Sequence, residues 1–294
     1  MGKLRAAAQL IVMNAQAHQT RRAYAIGWRH FSAWCREAGR DPLPASPDTL
    51  KLFIVAHIDE LAIKTIDQRI AAIVDKHRSQ KHEPPYTYEL RELMRGARRE
   101  KGTAAKRKDA LTPDDLRKIC AELLRQKTAL AIRDRAILTL GFAGMMRRSE
   151  IAALDLADIR FAPKGVAVRI RRSKTDQEAH GREFGVFHAK HAKACPVRSL
   201  RAWIYLRGRD PGPLFGITPA AIGEAVKRCA KLIGLDATAY AGHSLRAGGI
   251  TAAAEDGVPE SLIMQRSGHR SVQTVTGYVR PASIFRTDIL RRAM

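Results

Sequence analysis

Apolar residues recur at helical spacing through the first hundred residues. Residues 18–38 place five residues on one face of a predicted helix, where we expect them in a core: Tyr24, Trp28, Phe31, Trp34 and Cys35. A proline-rich break follows, and Ser46 or Asp48 is positioned to cap the next helix. Helical patterns continue through 50–62, 65–80 and 88–100. The N-terminal part is therefore predicted to be an all-helical bundle.

The pattern is interrupted after residue 100. The stretch KGTAAKRKD has no apolar residue except alanine and carries four positive charges. Thr112 then stands before Pro113, which is typical of a helix start. We predict a basic linker over 101–110 between an N-terminal domain, 1–100, and a second domain, 111–294. Such a linker is either merely solvated or follows a phosphate chain.

The second domain begins with predicted helices over 113–126, 129–142 and 148–156. The period then changes to two, since Val166, Val168 and Ile170 alternate in KGVAVRIRRS and REFGVFHAK follows. This predicts a β-hairpin with residues 173–181 at its tip. Helical patterns return from residue 196 to the end. The expected fold class is mostly α with a small β-hairpin or sheet, an α+β second domain.

The charge balance indicates the kind of partner that the protein binds. The 294 residues contain 52 Lys and Arg against 29 Asp and Glu, a net charge of +23, and the sequence pI is about 10.5. The excess is +9 over residues 1–110 and +14 over the remainder, so both predicted domains are basic. A long polyanion held from two sides fits this distribution. The alternative is an ordinary basic protein.

Cysteine and histidine spacing predicts neither disulfides nor a metal. The four cysteines lie far apart, as in a protein of a reducing compartment. His188, His191 and Cys195 are close in sequence, but their spacing matches no standard zinc pattern. No segment has the length of a membrane span, and the first residues make a poor signal peptide. We therefore expect a soluble, intracellular protein.

The stretch GMMRRSEI places two arginines between apolar segments. Gly144 can permit a tight turn there, and Ser149 with Glu150 suits the first turn of a helix. An arginine at that helix start could hold two phosphate oxygens, with Glu150 orienting it. Alternatively, Arg147 and Arg148 are both solvated surface residues.

Three further stretches carry candidate chemistry. Lys174, at the predicted hairpin tip, either serves solubility or reaches a groove as a general acid. His243 and Arg246 are three residues apart at a helix start, so they face the same way. His269 and Tyr278 are either structural or chemical, because a phenol can attack phosphorus when cations neutralise the phosphoryl oxygens and a base takes its proton.

Together, GMMRRSEI, RRSKTDQ, HSLRAG and SGHRSVQTVTGYVR resemble, in order and spacing, the signature motifs of the tyrosine recombinase (phage integrase) family. The resemblance covers about residues 110–290, and TRRAYAIGWRHFSAWC more loosely resembles the opening helix of the family's core-binding domain. It implies a catalytic set with Glu150 in support: Arg147, Lys174, His243, Arg246, His269 and Tyr278. Arg148 takes a variable position. One departure is Ser267, where an apolar residue is common, and we expect it to loosen local packing.

The resemblance implies a mechanism and an assembly. Two domains would close as a clamp around duplex DNA, and Tyr278 would attack a phosphate to leave a 3′-phosphotyrosyl link. Neither a metal nor a nucleotide cofactor is implied. Strand exchange would need a homotetramer on two duplexes, formed from free monomers or weak dimers. The C-terminal segment SIFRTDILRRAM, with an apolar stripe, would pack into a neighbouring protomer.

The expected target is a specific, inverted-repeat DNA site. The N-terminal half has no room for a separate arm-site domain, which favours a simple, Cre-like recombinase from a bacterium, phage or mobile element, at the nucleoid. The candidate DNA contacts are Arg21, Arg22, Arg29, Lys106, Arg107, Lys108, Arg148 and Arg172. The alternatives are a type IB topoisomerase, against which the HxxR histidine and the helical N-terminal half argue, and a non-catalytic DNA-binding protein derived from a recombinase.

Overall fold

The computed structural model describes residues 18–102, 108–171 and 181–278. The chain divides into two compact units, an N-terminal unit of residues 1–106 and a C-terminal unit of residues 107–294. Each unit has its own apolar core, so each is described by itself. In the described part of the chain, no helix has the length and apolar character needed to cross a bilayer.

All regular secondary structure in the described part of the N-terminal unit is helical. Its helices are α1 (His18–Glu37), α2 (Pro47–His57), α3 (Ile63–Ser79) and α4 (Tyr88–Lys101). Ser46 caps α2, since its hydroxyl accepts from the backbone N–H of Thr49 at 3.1 Å. In the aromatic stripe of α1, Phe31 and Cys35 are fully buried, whereas the other three residues are only partly buried. The predicted helical bundle is therefore confirmed, with α2 ending earlier than expected.

The C-terminal unit is mostly helical around a small sheet. Its helices are α5 (Pro113–Gln126), α6 (Ala129–Ala143), α7 (Arg148–Ala152), α8 (Pro196–Arg207), α9 (Pro219–Leu232), α10 (His243–Glu255), α11 (Glu260–Ser267) and α12 (Val272–Thr276). Its strands are β1 (Ile159–Ala162), β2 (Gly165–Ile170) and β3 (Arg182–Phe187). Thr112 caps α5 as predicted, and its hydroxyl accepts from the N–H of Asp115 at 3.1 Å.

The sheet is antiparallel, in the order β1-β2-β3. Val168 pairs with Ile159 on one side and Phe184 on the other, and the alternating apolar residues of β2 are buried as predicted. Strand β1 was not predicted, because its four residues are too few to establish a period and the strand forms by pairing with β2. Helix α7 is shorter than predicted, and the chain beyond it turns into a 3₁₀ helix capped by Asp155.

All four cysteines are free thiols. Each is buried, and burial raises the pKa of Cys120 and Cys229 to about 12. Buried thiols with such pKa values stay protonated and unreactive. The cysteines therefore act as small apolar residues of the two cores.

Candidate active site

The tight turn expected at Gly144 lies directly before the paired arginines. Helix α6 ends at Ala143, and Gly144 has an ordinary helical φ of −85°. The left-handed residue is Met145, with φ +49°. Gly144 is needed for space, because a Cβ there would come within 2.9 Å of Met146 and Phe184. The strained turn directs the carbonyl of Met145 at Arg246, whose Nη1 donates to it at 2.8 Å.

Glu150 holds Arg147 as the sequence predicts. Arg147 Nη1 donates to Oε1 of Glu150 at 2.8 Å, and the backbone N–H of Arg147 donates to Oε2 at 2.9 Å. The Glu150 side chain is only 1% exposed. Burial by itself would raise the pKa of this carboxyl, but hydrogen bonds and charge from Arg182, followed by Arg147, hold the pKa below its ordinary value. Glu150 is therefore ionised and fixes the guanidinium of Arg147 in the turn.

Arg182 is a functional candidate that the sequence reasoning missed. Its Nη2 donates to Oε2 of Glu150 at 2.8 Å, and its Nε donates to the carbonyl of Arg266 at 3.2 Å. Gly268 packs on this guanidinium with φ +68°, and a Cβ there would lie 2.9 Å from Arg182 Nη1. A signal existed, since Arg182 has the same strand parity as the buried Phe184, and a charge on an inner face needs a partner.

Arg246 is completely buried in α10. Besides the carbonyl of Met145, its Nη1 reaches the carbonyl of Ser267 at 2.7 Å, and its Nη2 donates to Nε2 of His269 at 2.8 Å. Desolvation, reinforced by the charge of Arg147, lowers its pKa to about 10, so the guanidinium remains charged. Its Nε has no acceptor among the described residues. A buried N–H without an acceptor is costly, and an anion would satisfy it.

His243, His269 and Tyr278 meet beside these arginines. The hydroxyl of Tyr278 lies 2.7 Å from Nε2 of His243, and the ring centres of His269 and Tyr278 are 5.4 Å apart. Tyr278 also rests against a small apolar cluster that includes Val275, and its carbonyl accepts from Thr251 at 2.8 Å. Desolvation and then the charge of Arg246 lower the pKa of His243. The arrangement is a phenol beside a neutral imidazole and two guanidinium groups.

A cavity of about 300 Å³ opens at this phenol, lined by Tyr278, His243 and Lys108 among others. Lys108, a predicted DNA contact, donates to the carbonyl of Thr238 at 2.6 Å. Arg148 is exposed, and its stem packs on Gly242, where a Cβ would lie 3.1 Å from the Cβ of Arg148. The structure thus separates the two arginines: Arg147 points to Glu150, and Arg148 lies at the base of α10.

Several predicted residues lie elsewhere. Arg22 and Arg29 are exposed on α1 of the N-terminal unit, and Arg21 beside them is partly buried. Other predictions fall outside the described residues: Lys174 and Arg172 of the hairpin tip, Lys106 and Arg107 of the linker, and the C-terminal segment. Within the described residues, the structure brings together Arg147, Glu150, His243, Arg246, His269 and Tyr278.

Glu150 binds both Arg147 and Arg182, so its replacement should have a large effect on stability. Glu150→Gln should lower the free energy of unfolding by about 3 kcal/mol, because two nearly buried guanidinium groups would lose their counter-charge. Urea unfolding followed by circular dichroism measures the change. The matched control is Glu183→Gln, which removes an exposed pair with Arg160 and should cost at most about 1 kcal/mol. Equal losses in the two variants would contradict the assignment.

Sequence and structure comparisons agree on one family. The profile of the Phage integrase family matches residues 109–283. An integrase/recombinase XerD homolog of Selenomonas ruminantium is 33% identical over 294 residues, covering 95% of this chain and 86% of that protein. The recombinase Cre of Escherichia phage P1 is 26% identical over 284 residues, covering 86% and 81%.

Solved structures share the fold. A XerH site-specific recombinase bound to a palindromic difH substrate superposes with a TM-score of 0.69 at 18% identity, covering 92% of this chain and 78% of that one. A λ integrase dimer bound to a COC′ core site gives a TM-score of 0.64 at 15% identity, covering 93% and 75%. These matches extend over both units. With its family profile, its relatives and the cluster around Tyr278, this chain belongs to the phage integrase family of tyrosine site-specific DNA recombinases.

Proposed function

We propose that Tyr278 is the nucleophile of a DNA strand-cleavage and rejoining reaction. Its hydroxyl oxygen attacks a scissile phosphorus, the P–O5′ bond breaks, and a 3′-phosphotyrosyl link forms. The phenolic proton passes to Nε2 of His243, and Lys174 supplies a proton to the leaving 5′-oxygen. Attack by a 5′-hydroxyl of another strand reverses the step and reseals the backbone. The bond energy stays in the protein–DNA link throughout.

One observation carries this proposal: the hydroxyl of Tyr278 lies 2.7 Å from a ring nitrogen of His243, within the reach of a general base. Two charged arginines flank the pair, and the Nε of Arg246 has no acceptor among the described residues. A phosphate oxygen would be that acceptor. Arg147 and Arg246 then bind the non-bridging oxygens, and His269 donates a further hydrogen bond.

The substrate proposed for this site is duplex DNA with a specific, inverted-repeat sequence. The net charge of +23 favours a polyanion, and the similar structures include a XerH complex with a palindromic substrate and a λ integrase tetramer on a Holliday junction. We propose the same kind of assembly here: four protomers on two duplexes, joined by the C-terminal segment. The proposed location is the cytoplasm, at the nucleoid, without a metal or nucleotide cofactor.

The test is covalent capture. The full chain is incubated with a nicked duplex carrying the target site, the mixture is denatured in detergent, and the adduct is digested with protease. We expect one DNA-linked peptide, with the link at Tyr278. An adduct on another residue would overturn the assignment, and relaxation of plasmids lacking any special site would indicate a topoisomerase. No adduct from active, DNA-bound protein would contradict the cleavage mechanism.

The pH profile tests the role of His243 as base. Desolvation and the charges of Arg246, Arg147 and Arg148 hold its pKa below the ordinary 6.5, so the ring stays neutral as the pH falls through that value. The single-turnover rate of adduct formation should therefore decline only below pH 6.5. Arg148→Ala removes one of the lowering charges and should move the decline to higher pH. A decline centred above 6.5 in the wild type would contradict this role.

A further inference from the structure

Ser267 lies at the centre of the hydrogen bonds around His269. It is the last residue of α11 and is completely buried. Its carbonyl accepts from Arg246, and its hydroxyl oxygen lies 2.7 Å from Nδ1 of His269. At the position where an apolar residue is common in the family, this chain therefore has a hydroxyl with a close partner on His269, and the expected loosening of local packing stays a prediction.

The contacts of His269 define which ring nitrogen carries its proton. Desolvation and the nearby arginines lower the pKa of His269 to about 4, so the ring is neutral near pH 7 and holds one N–H. A guanidinium can only donate, and Nη2 of Arg246 lies 2.8 Å from Nε2 and 3.3 Å from Nδ1. The closer nitrogen, Nε2, therefore holds the lone pair, and Nδ1–H donates to Ser267. The hydroxyl hydrogen of Ser267 then points to the carbonyl of Met264 at 3.5 Å.

This tautomer cannot serve a bound phosphate. A phosphate oxygen offers only lone pairs, so Nε2 of His269 needs a hydrogen to bind it. The ring of the free protein is neutral, with a pKa of about 4, so it holds one hydrogen when a phosphate arrives. The route that keeps the ring neutral is the other tautomer, in which Nε2 carries the proton and Nδ1 accepts. A serine hydroxyl fits both tautomers, because it can accept from Nδ1–H and, after turning its hydrogen, donate to Nδ1.

We propose that Ser267 is a positioning residue that allows His269 to change tautomer: its hydroxyl accepts from Nδ1–H in the free protein, where Arg246 donates to Nε2, and donates to Nδ1 when a phosphoryl group occupies the site and Nε2 carries the hydrogen. The inference rests on the proposed function, which gives His269 a phosphate contact. One proton leaves Nδ1 and one is taken up at Nε2, so the ring remains neutral. Arg246 loses its ring acceptor in the same step and turns that N–H to the anion.

Histidine-ring NMR of the full chain tests the proposal directly. Isotopically labelled imidazole nitrogens distinguish the two tautomers, and loss of a signal in His269→Gln assigns the ring. In the wild type we expect Nδ1–H without ligand and Nε2–H at saturating orthovanadate, a phosphoryl analogue. An Nε2–H ring in the free protein, or an Nδ1–H ring that orthovanadate leaves unchanged, would overturn the proposal.

Ser267 and Ser271 each lie two residues from His269 along the chain, so they provide a matched pair of variants. Ser267→Ala should keep Nδ1–H in the free protein, because Arg246 still donates to Nε2, but should lose the change to Nε2–H at saturating orthovanadate and slow adduct formation on the nicked duplex about tenfold at unchanged DNA affinity. The hydroxyl of Ser271 donates to Gln273 and not to His269. Ser271→Ala should therefore change neither the tautomer of His269 nor the rate of adduct formation. The same change to Nε2–H with orthovanadate in the wild type and in Ser267→Ala would contradict the role of the hydroxyl.

The NMR experiment tests the role of Ser267 and the capture experiment tests the cleavage mechanism, so either claim can fail without the other. If Tyr278 forms the adduct but the tautomer is insensitive to Ser267, only the role of Ser267 is lost. If no adduct forms at Tyr278 while the ring changes tautomer with orthovanadate, the hydrogen-bond assignment stands and the cleavage mechanism fails. Ser267→Thr, which retains a hydroxyl, should restore the change of tautomer with orthovanadate.

Discussion

Replacing Tyr278 with phenylalanine should abolish the covalent protein–DNA adduct and leave DNA binding intact. The substitution removes only the oxygen that would form the bond to phosphorus. The ring keeps its position against Val275, and the backbone contact with Thr251 does not depend on the hydroxyl. The lost hydrogen bond to His243 should cost only about 1 kcal/mol of folding free energy. The measurement is detergent-resistant adduct on a nicked duplex, with binding followed by gel shift.

Tyr205→Phe is the matched control for this loss. Tyr205 lies in the same unit on α8 and is 92% exposed, with no hydrogen bond to the catalytic cluster. Its variant should form adduct at the wild-type rate. Adduct that persists in Tyr278→Phe would place the nucleophile on another residue. Adduct lost equally in both variants would show that the assay reports something other than the nucleophile.

Arg147→Ala should slow adduct formation by about 10²–10³-fold while DNA binding largely persists. The substitution removes one of two cations proposed to stabilise the negative charge that develops on the phosphoryl oxygens. Arg147 is only 16% exposed and fixed by Glu150, so it is positioned before substrate arrives. Preorganised charge of this kind acts mainly on the transition state, which is why rate falls more than affinity.

Arg148→Ala separates this effect from a general loss of charge. The two residues are adjacent and identical, but Arg148 is exposed and packs on Gly242 instead of binding Glu150. We expect Arg148→Ala to change the rate at neutral pH much less than Arg147→Ala. Urea unfolding of both variants checks that neither effect is a loss of fold. Equal loss of cleavage in the two would show that the catalytic role was assigned to the wrong neighbour.

The pattern of local residues predicts much of this fold. Helix starts at Ser46 and Thr112 follow from side chains that bond backbone N–H groups two or three residues away, which a sequence shows directly. The alternation in β2 is equally local. Strand β1 escaped prediction because its four residues adopt a strand only where β2 provides backbone partners. The tight turn was expected at Gly144, but the sequence does not show that its left-handed residue is Met145, whose strained backbone is held by Arg246.

For the candidate site too, some features follow from the sequence and others only from the tertiary structure. The amino-acid sequence by itself determined the family, the helical architecture and the set of candidate reactive side chains, since motif order and residue chemistry can be read along the chain. Only the tertiary structure decided which groups hold them. Arg182 lies 32 residues from Glu150 along the chain and Ser267 lies 21 residues from Arg246, but packing brings Arg182 to Glu150 and the carbonyl of Ser267 to Arg246. A charge or ring nitrogen that is buried in the folded protein needs a hydrogen-bond partner. Sequence spacing does not show which distant residue provides that partner.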